Sequence, residues 1–200
     1  MDDLRNIQLP ERIPEIEIAT REAGFNRASD PRTGCLLRFL SATKPSGRIL
    51  ELGTGTGLGT CWILDGMDAD SRLDTVDNDP DVIEIARRHL TQDPRVSFHL
   101  KDGADFLRQA HDKRYDLIFA DAWPGKFWDL EEALDLLRDG GIYVIDDMLP
   151  QPNWDQDHPA KADRLIRVFE DRKDLHMTKL NWSTGIILAT KCGRGRGTKR

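Results

Sequence analysis

Short apolar runs alternate with helical patterns along most of the chain. Five runs read as strands because Gly, Pro or Asp bounds them: 48–52, 72–77, 95–100, 115–121 and 141–147. Apolar residues spaced by three and four fill the stretches between them: GLGTCWILDGM, PDVIEIARRHL, GADFLRQAH and FWDLEEALDLLRD. This alternation predicts a parallel sheet covered by helices on both faces.

The flanking segments extend this pattern. Residues 11–24 and 31–43 read as two helices before the first strand, the second opened by Asp30 as cap and Pro31 in the first turn. A helix over 160–172 follows the fifth strand, and the runs LHMTKLNW and GIILATK predict a hairpin. The fold class expected is α/β, a doubly wound, mostly parallel seven-stranded sheet with an antiparallel C-terminal hairpin.

Length, composition and charge predict the number of domains, the kind of partner and the cellular location. We expect one domain over residues 1–192, with its N-terminal helices at about 11–43, and a flexible basic tail at 193–200. The net charge is −6, and with five basic residues and no acid in the last ten, the first 190 carry −11. An acidic body disfavours nucleic acid as partner. No membrane or export segment is evident, and three scattered cysteines suggest no disulfides, so we expect a cytoplasmic protein.

A glycine-rich turn follows the first strand, as Glu51-Leu52-Gly53-Thr54-Gly55-Thr56-Gly57. Glycines between a strand and a helix let a ligand lie against the backbone at the helix N-terminus, which predicts a nucleotide-like ligand. The dinucleotide fingerprint is not met, because Leu58 stands where its third glycine would fall.

An acidic residue ends the second strand, 24 residues after Gly53. Asp77 would lie beside the glycine turn and could accept hydrogen bonds from both ribose hydroxyls. Helix capping is the alternative role, but Asp79, directly before Pro80, suits that role better.

The E-x-G-x-G-x-G turn together with V-D-x-D-P resembles the class I S-adenosylmethionine-dependent methyltransferases. From about residue 28 to 191, the order of elements resembles the catechol and caffeoyl-CoA O-methyltransferase group. Softer features of that group are the helix with Thr33-Gly34-Cys35, the Asp121-Ala122-Trp123 turn and the hairpin with Thr184-Gly185-Ile186. The resemblance implies a Rossmann-like enzyme that methylates a hydroxyl of a small molecule, a phenol or vicinal diol, and a homodimer by analogy.

The same resemblance implies a cofactor site for S-adenosylmethionine. The backbone of the glycine turn and Glu51 would hold the methionine part, residues 28–33 would close over it, and Trp123 would flank the adenine. The full set is Glu51, Gly53, Thr54, Gly55, Gly57, Asp77, Asn78, Asp102, Gly103, Ala104, Asp121 and Trp123. For Trp123, ordinary packing is the alternative.

Three carboxylates are expected to converge at the carboxyl edge of the sheet. Asp121 ends the fourth strand, and Asp146 and Asp147 end the fifth. Such a cluster binds a divalent cation, Mg²⁺ above all, or takes up a proton, and both readings stay open. The group resembled has Asp-Asn at the fifth strand, whereas here Asp147 adds a negative charge.

Two residues, Lys126 and His158, are candidates for the general base that would accept a proton from the substrate. The group resembled often carries a lysine directly after the tryptophan, whereas here Lys126 follows two residues later. His158 could accept a proton near neutral pH, although a helix-start position before Pro159 is the plainer interpretation. Phe127, Trp128 and Trp154 could line an aromatic acceptor pocket.

Other interpretations stay open beside the O-methyltransferase. They are a metal-independent methyltransferase with another acceptor atom, a module that binds S-adenosylmethionine without catalysis, and a dehydrogenase.

Overall fold

The computed structural model describes residues 3, 5–151 and 155–193, which form seven helices and seven strands. The helices are α1 (Ile13–Glu22), α2 (Pro31–Ala42), α3 (Leu58–Gly66), α4 (Pro80–Leu90), α5 (Gly103–Gln109), α6 (Leu130–Leu136) and α7 (His158–Asp171). The strands are β1 (Arg48–Leu52), β2 (Arg72–Asp77), β3 (Val96–Leu100), β4 (Tyr115–Ala120), β5 (Leu137–Ile145), β6 (Leu175–Leu180) and β7 (Ile186–Lys191).

All seven strands form one sheet in the order β3-β2-β1-β4-β5-β7-β6. The first five strands in this order run parallel to one another, whereas β7 runs antiparallel to both β5 and β6. The predicted doubly wound sheet with its antiparallel hairpin is therefore confirmed. Strand order reverses between β1 and β4, which is where open α/β sheets bind their ligands.

Successive residues of the strands point to opposite faces of the sheet, and a hydrophobic core covers each face. Leu50 and Ile118 pack with α5, α6 and α7, while their neighbours Ile49 and Leu117 pack with α1, α2 and α3. All four strand side chains are completely buried. Burial on both faces explains why the parallel strands read as continuous apolar runs in the sequence.

The main departure from prediction lies between β4 and β5. The helical pattern predicted from the sequence includes residues 137–139, but Leu137 pairs with Tyr115 and opens a nine-residue strand. A register shift follows between Tyr115 and Leu117, and Gly140 takes a φ of +75°. Strand pairing overrode local helical spacing here. The strand ends at Ile145, so Asp146 and Asp147 lie just beyond it.

Smaller corrections concern the helix ends. Helix α1 is shorter than the predicted span 11–24, and α7 begins at His158, two residues before the predicted start, because Pro159 fits the first turn. Asp30 caps α2 as expected, since its Oδ1 accepts from Arg32 N at 2.8 Å. In the part of the chain that the structure describes, no helix combines the length and apolarity needed to cross a membrane. Trp154 and most of the basic tail lie outside the described residues.

Candidate functional site

The glycine turn joins β1 to α3 with three left-handed residues. Gly53, Gly55 and Gly57 have φ values of +101°, +51° and +94°. The amide of Gly53 donates to Val76 O at 2.9 Å, which ties the turn to β2. A Cβ on Gly53 would stand 2.7 Å from the backbone oxygen of Asp121, so only glycine lets β1 and β4 end this close together.

Asp77 lies against this turn, as its position at the end of β2 predicts. Its Oδ2 accepts from the Gly55 amide at 2.7 Å and its Oδ1 from the Asp79 amide at 3.0 Å. Asp79 caps α4 by accepting from Asp81 N at 2.9 Å, so Asp77 is not the cap. The carboxylate of Asp77 keeps lone pairs for further donors because each oxygen can accept two hydrogen bonds.

Glu51 is completely buried in β1, behind the cavity wall. Its Oε2 accepts from the hydroxyls of Thr60 and Thr75 at 2.5 and 2.6 Å, while Oε1 has no partner among the described residues. Burial raises the pKa of Glu51 to about 7. A Cβ on Gly59 would stand 2.6 Å from Oε1, and the Ser29 hydroxyl is nearby.

Asp121, Asp146 and Asp147, named here the acid trio, converge as predicted. One ligand oxygen from each lies within 4.8 Å of the others. Asp121 Oδ2 accepts from the Ser29 hydroxyl at 3.2 Å, and Asp146 Oδ1 accepts from the Thr184 hydroxyl and the Asp147 amide. The trio is therefore held by loops from both ends of the chain.

Burial and mutual repulsion weaken the acidity of the trio. Burial raises the pKa of Asp121 and then Asp147 raises it further, while burial is also the main cause of the raised pKa of Asp146. Burial raises the pKa of Asp147 to about 6, with the Lys126 charge opposing the rise. A site of this kind gains stability from a cation or from a bound proton.

Lys126 and His158 face the same cavity. Lys126 is only 3% exposed, although it is charged. His158 is the first residue of α7, as the plainer interpretation held, and its ring lies 5.3 Å from that of Phe127. Burial, followed by the charges of Lys126 and Lys161, lowers the pKa of His158 to about 4, so its ring is neutral near pH 7.

One cavity of about 790 Å³ joins these parts. The predicted residues that line it are Gly53, Thr54, Gly55, Asp77, Asn78, Asp102, Gly103, Asp121, Trp123, Lys126, Asp146, Asp147 and His158. Three residues of the predicted cofactor set do not line it, nor does Phe127 of the predicted acceptor pocket. Glu51 lies behind the wall, Gly57 packs against Ala86, and Ala104 is buried in α5, where its amide donates to Asp102.

Several lining residues were not singled out from the sequence. Phe25, Asn26 and Arg27 come from the loop between α1 and α2, next to the segment that was expected to close over the cavity. Phe25 is half-buried beside Gly55, whereas Arg27 is exposed at the mouth. The only local signal for them is the break between two helical patterns.

Aromatic side chains border the cavity near Asp121. Trp123 and Trp128 are 38% and 43% exposed, and their rings meet edge to face at 5.1 Å. Lys161 Nζ lies 4.4 Å from the Trp123 ring centre, a cation–π contact. Trp123 is thus partly exposed at the cavity, while Phe127 packs against the core that includes residues of α6.

Comparison with known sequences identifies related proteins. A family model described as a methyltransferase domain matches residues 50–148. Curated proteins provisionally named O-methyltransferases match as well, with 33% identity over 60% of this chain for one from Mycobacterium leprae and 32% over 59% for one from Mycobacterium ulcerans. The matched part spans 55% of the length of each of these relatives.

Solved structures share the fold over most of the chain. The O-methyltransferase TomG from Streptomyces achromogenes, in complex with S-adenosylmethionine, has a TM-score of 0.82 at 24% identity, covering 94% of this chain and 93% of that one. An O-methyltransferase from Bacillus cereus with S-adenosylhomocysteine gives 0.82 at 22% identity, covering 94% and 93%. Residues 50–148 are therefore similar to a methyltransferase domain, and the chain shares the Rossmann-like fold of these solved O-methyltransferases, as its glycine turn and second-strand aspartate had indicated.

Proposed function

We propose that this chain is an S-adenosylmethionine-dependent O-methyltransferase that acts on a hydroxyl of a small molecule, a phenol or a vicinal diol. One observation carries the proposal. A single cavity is lined both by the glycine turn with Asp77 and by the acid trio. A cofactor held against the turn and Asp77 would lie beside an acceptor held at the trio.

The residues present suit S-adenosylmethionine. Asp77 would accept from the ribose hydroxyls, Asp102, Gly103 and Trp123 would flank the adenine, and the backbone of Gly53, Thr54 and Gly55 would border the methionine part. The unpartnered Oε1 of buried Glu51 and the surplus of carboxylates favour a ligand with positive charge. When bound, this cofactor supplies an electrophilic methyl group on a positively charged sulfur.

The acid trio and Lys126 would handle the acceptor. Asp147, with a pKa of about 6, is better matched to accept a hydroxyl proton near neutral pH than His158 at about 4. The charge of Lys126 would stabilise the resulting oxyanion, and Asp121 would orient the hydroxyl. Trp123 and Trp128, which line the cavity, would exclude water from one side of the acceptor.

A divalent cation fits the acid trio. Three carboxylate oxygens within 4.8 Å are the hard ligands that Mg²⁺ prefers. Burial raises the pKa of all three groups, and neighbouring carboxylates raise those of Asp121 and Asp147 further. Such an ion would lower the pKa of a coordinated acceptor hydroxyl. Asp121, Asp146 and Asp147 would hold it.

Titration calorimetry with S-adenosylmethionine tests the cofactor site. We expect Asp77→Ala to weaken binding by about tenfold or more, because hydrogen bonds to a charged partner are lost. Asp81→Asn is the matched control, since this exposed carboxylate lies in the first turn of α4. Unchanged affinity in Asp77→Ala would contradict the proposed site.

Methyl release over a panel of phenols, vicinal diols and amines, with and without a chelator, tests the chemistry. Turnover of a hydroxyl acceptor supports the proposal, and its loss in chelator supports the metal. Turnover of amines alone would mean another acceptor atom, and tight cofactor binding without turnover on any acceptor would mean a non-catalytic module. The single domain, the homodimer, the absence of a nucleic-acid partner and the cytoplasmic location stay predictions.

A further inference from the structure

The turn that carries Lys126 is built to bring this lysine to the cavity. Within residues 123–128, the amides of Lys126 and Phe127 donate to Trp123 O at 3.1 and 2.8 Å, and Gly125 N donates to Trp128 O at 2.7 Å. Gly125 has a φ of +79°, and a Cβ there would stand 2.5 Å from Leu52 Cδ1. The turn therefore depends on glycine and is fixed at both ends.

Lys126 is buried without a direct partner. Among the described residues, no hydrogen bond and no ion pair within 4.0 Å involves its ammonium group, although the side chain is 97% buried. Its nearest aromatic contact is the Phe127 ring, 5.3 Å from Nζ. The ammonium group therefore faces the cavity that Lys126 lines, where charge at longer range or a ligand can compensate its own charge.

The acid trio provides that longer-range charge. Lys126 and the three carboxyl groups of the trio line the same cavity. His158 is neutral at pH 7 and Arg27 lies exposed at the mouth, so Lys126 is the buried cation that faces the trio within the described residues. Three carboxylates and one ammonium group leave a net negative charge for an incoming cation.

We infer that Lys126 is an internal counter-ion of the acid trio and that it limits how tightly this site binds a divalent cation. A positive charge on the same cavity wall repels a divalent ion while it stabilises the trio without one. This inference rests on the cation site of the proposed function. It concerns metal affinity, so it can fail while methyl transfer stands.

Manganese titration followed by electron paramagnetic resonance tests this role in the full chain. We expect Lys126→Met to bind Mn²⁺ about tenfold more tightly or better than the wild type, which is about 1.4 kcal/mol or more. Lys126→Arg keeps the charge and should behave like the wild type. Lys161→Met is the matched control, because Lys161 stacks on Trp123, pairs with Asp157 and does not line the cavity.

A second substitution separates charge from damage to the turn. Adding Asp147→Asn to Lys126→Met removes one negative charge and should return the Mn²⁺ affinity towards that of the wild type. Thermal unfolding with and without Mn²⁺ gives an independent readout: the ion should raise the melting temperature of Lys126→Met more than that of the wild type. Equal or weaker affinity in Lys126→Met, or no Mn²⁺ binding by either protein, would overturn the inference.

Discussion

Replacing Glu51 by Gln should remove a large part of the pH dependence of stability. Glu51 is fully buried, and its pKa in the folded chain is about 7 against an ordinary value of 4.5. Below pH 4.5 the carboxyl is protonated in both states. As the pH rises, the unfolded chain ionises first, so the free energy of unfolding falls until the pH passes about 7. The sign is therefore a loss of stability towards alkaline pH.

The size of this effect follows from the two pKa values. Between about pH 5 and about pH 8, ionisation of Glu51 should lower the free energy of unfolding by about 2.5 kcal/mol. Gln is neutral at every pH and can still accept from Thr60 and Thr75 through its amide oxygen. The NH₂ group that Glu51→Gln introduces would need an acceptor at the place where Oε1 has no partner. The test therefore uses the change of the free energy of unfolding with pH, and not its value at a single pH.

Urea unfolding of the ligand-free protein across this pH range measures the effect. The difference in free energy of unfolding between Glu51→Gln and the wild type should grow by about 2.5 kcal/mol from about pH 5 to about pH 8. Glu84→Gln, at an exposed position on α4, is the control and should give a constant difference. Parallel curves for Glu51→Gln and the wild type would refute the reasoning.

Two further predictions concern stability and the turn at residues 123–128. Asp74 accepts hydrogen bonds from Lys113, Tyr115 and the His99 ring. These hydrogen bonds outweigh burial and lower the pKa of Asp74 to about 2. The ionised carboxylate therefore stabilises the fold above pH 3.8, and this stabilisation is lost as the pH falls through about 2. Asp74→Asn should lower the free energy of unfolding at pH 7 by about 2 kcal/mol, and urea denaturation that shows no change would contradict this. Gly125→Ala should lower the free energy of unfolding by about 2 kcal/mol or more, because φ is positive and a Cβ would overlap Leu52. It should also reduce the rate of methyl transfer. A variant that is fully active and equally stable would show that the turn tolerates a side chain.

Local patterns predicted the parts of the fold and site that depend on nearby residues. Strands β1 and β2 follow directly from apolar runs, and the spacing of the glycine turn and Asp77 placed both at one sheet edge because adjacent parallel strands end together. The carboxylates after β4 and β5 converge for the same reason.

Contacts between distant segments escaped prediction. The bond from Ser29 to Asp121 joins residues 92 positions apart, and no periodicity records it. The burial of Lys126 depends on the left-handed conformation of Gly125, which a sequence pattern does not distinguish from an ordinary loop glycine. Leu137 belongs to β5 because it pairs with Tyr115 of β4, although the spacing of apolar residues around it is typical of a helix.

The turn between β6 and β7 has a consequence for how the protein is made. Thr184 holds Asp146, Ser183 meets Thr33 of α2 at 3.1 Å, and Leu149 N donates to Thr184 O at 2.8 Å. Strands β1 to β3, with the glycine turn and Asp77, leave the ribosome long before this hairpin does. A nascent chain can thus form the half with the glycine turn and Asp77 early, while the acid trio gains its last support only after strands β6 and β7 have been made.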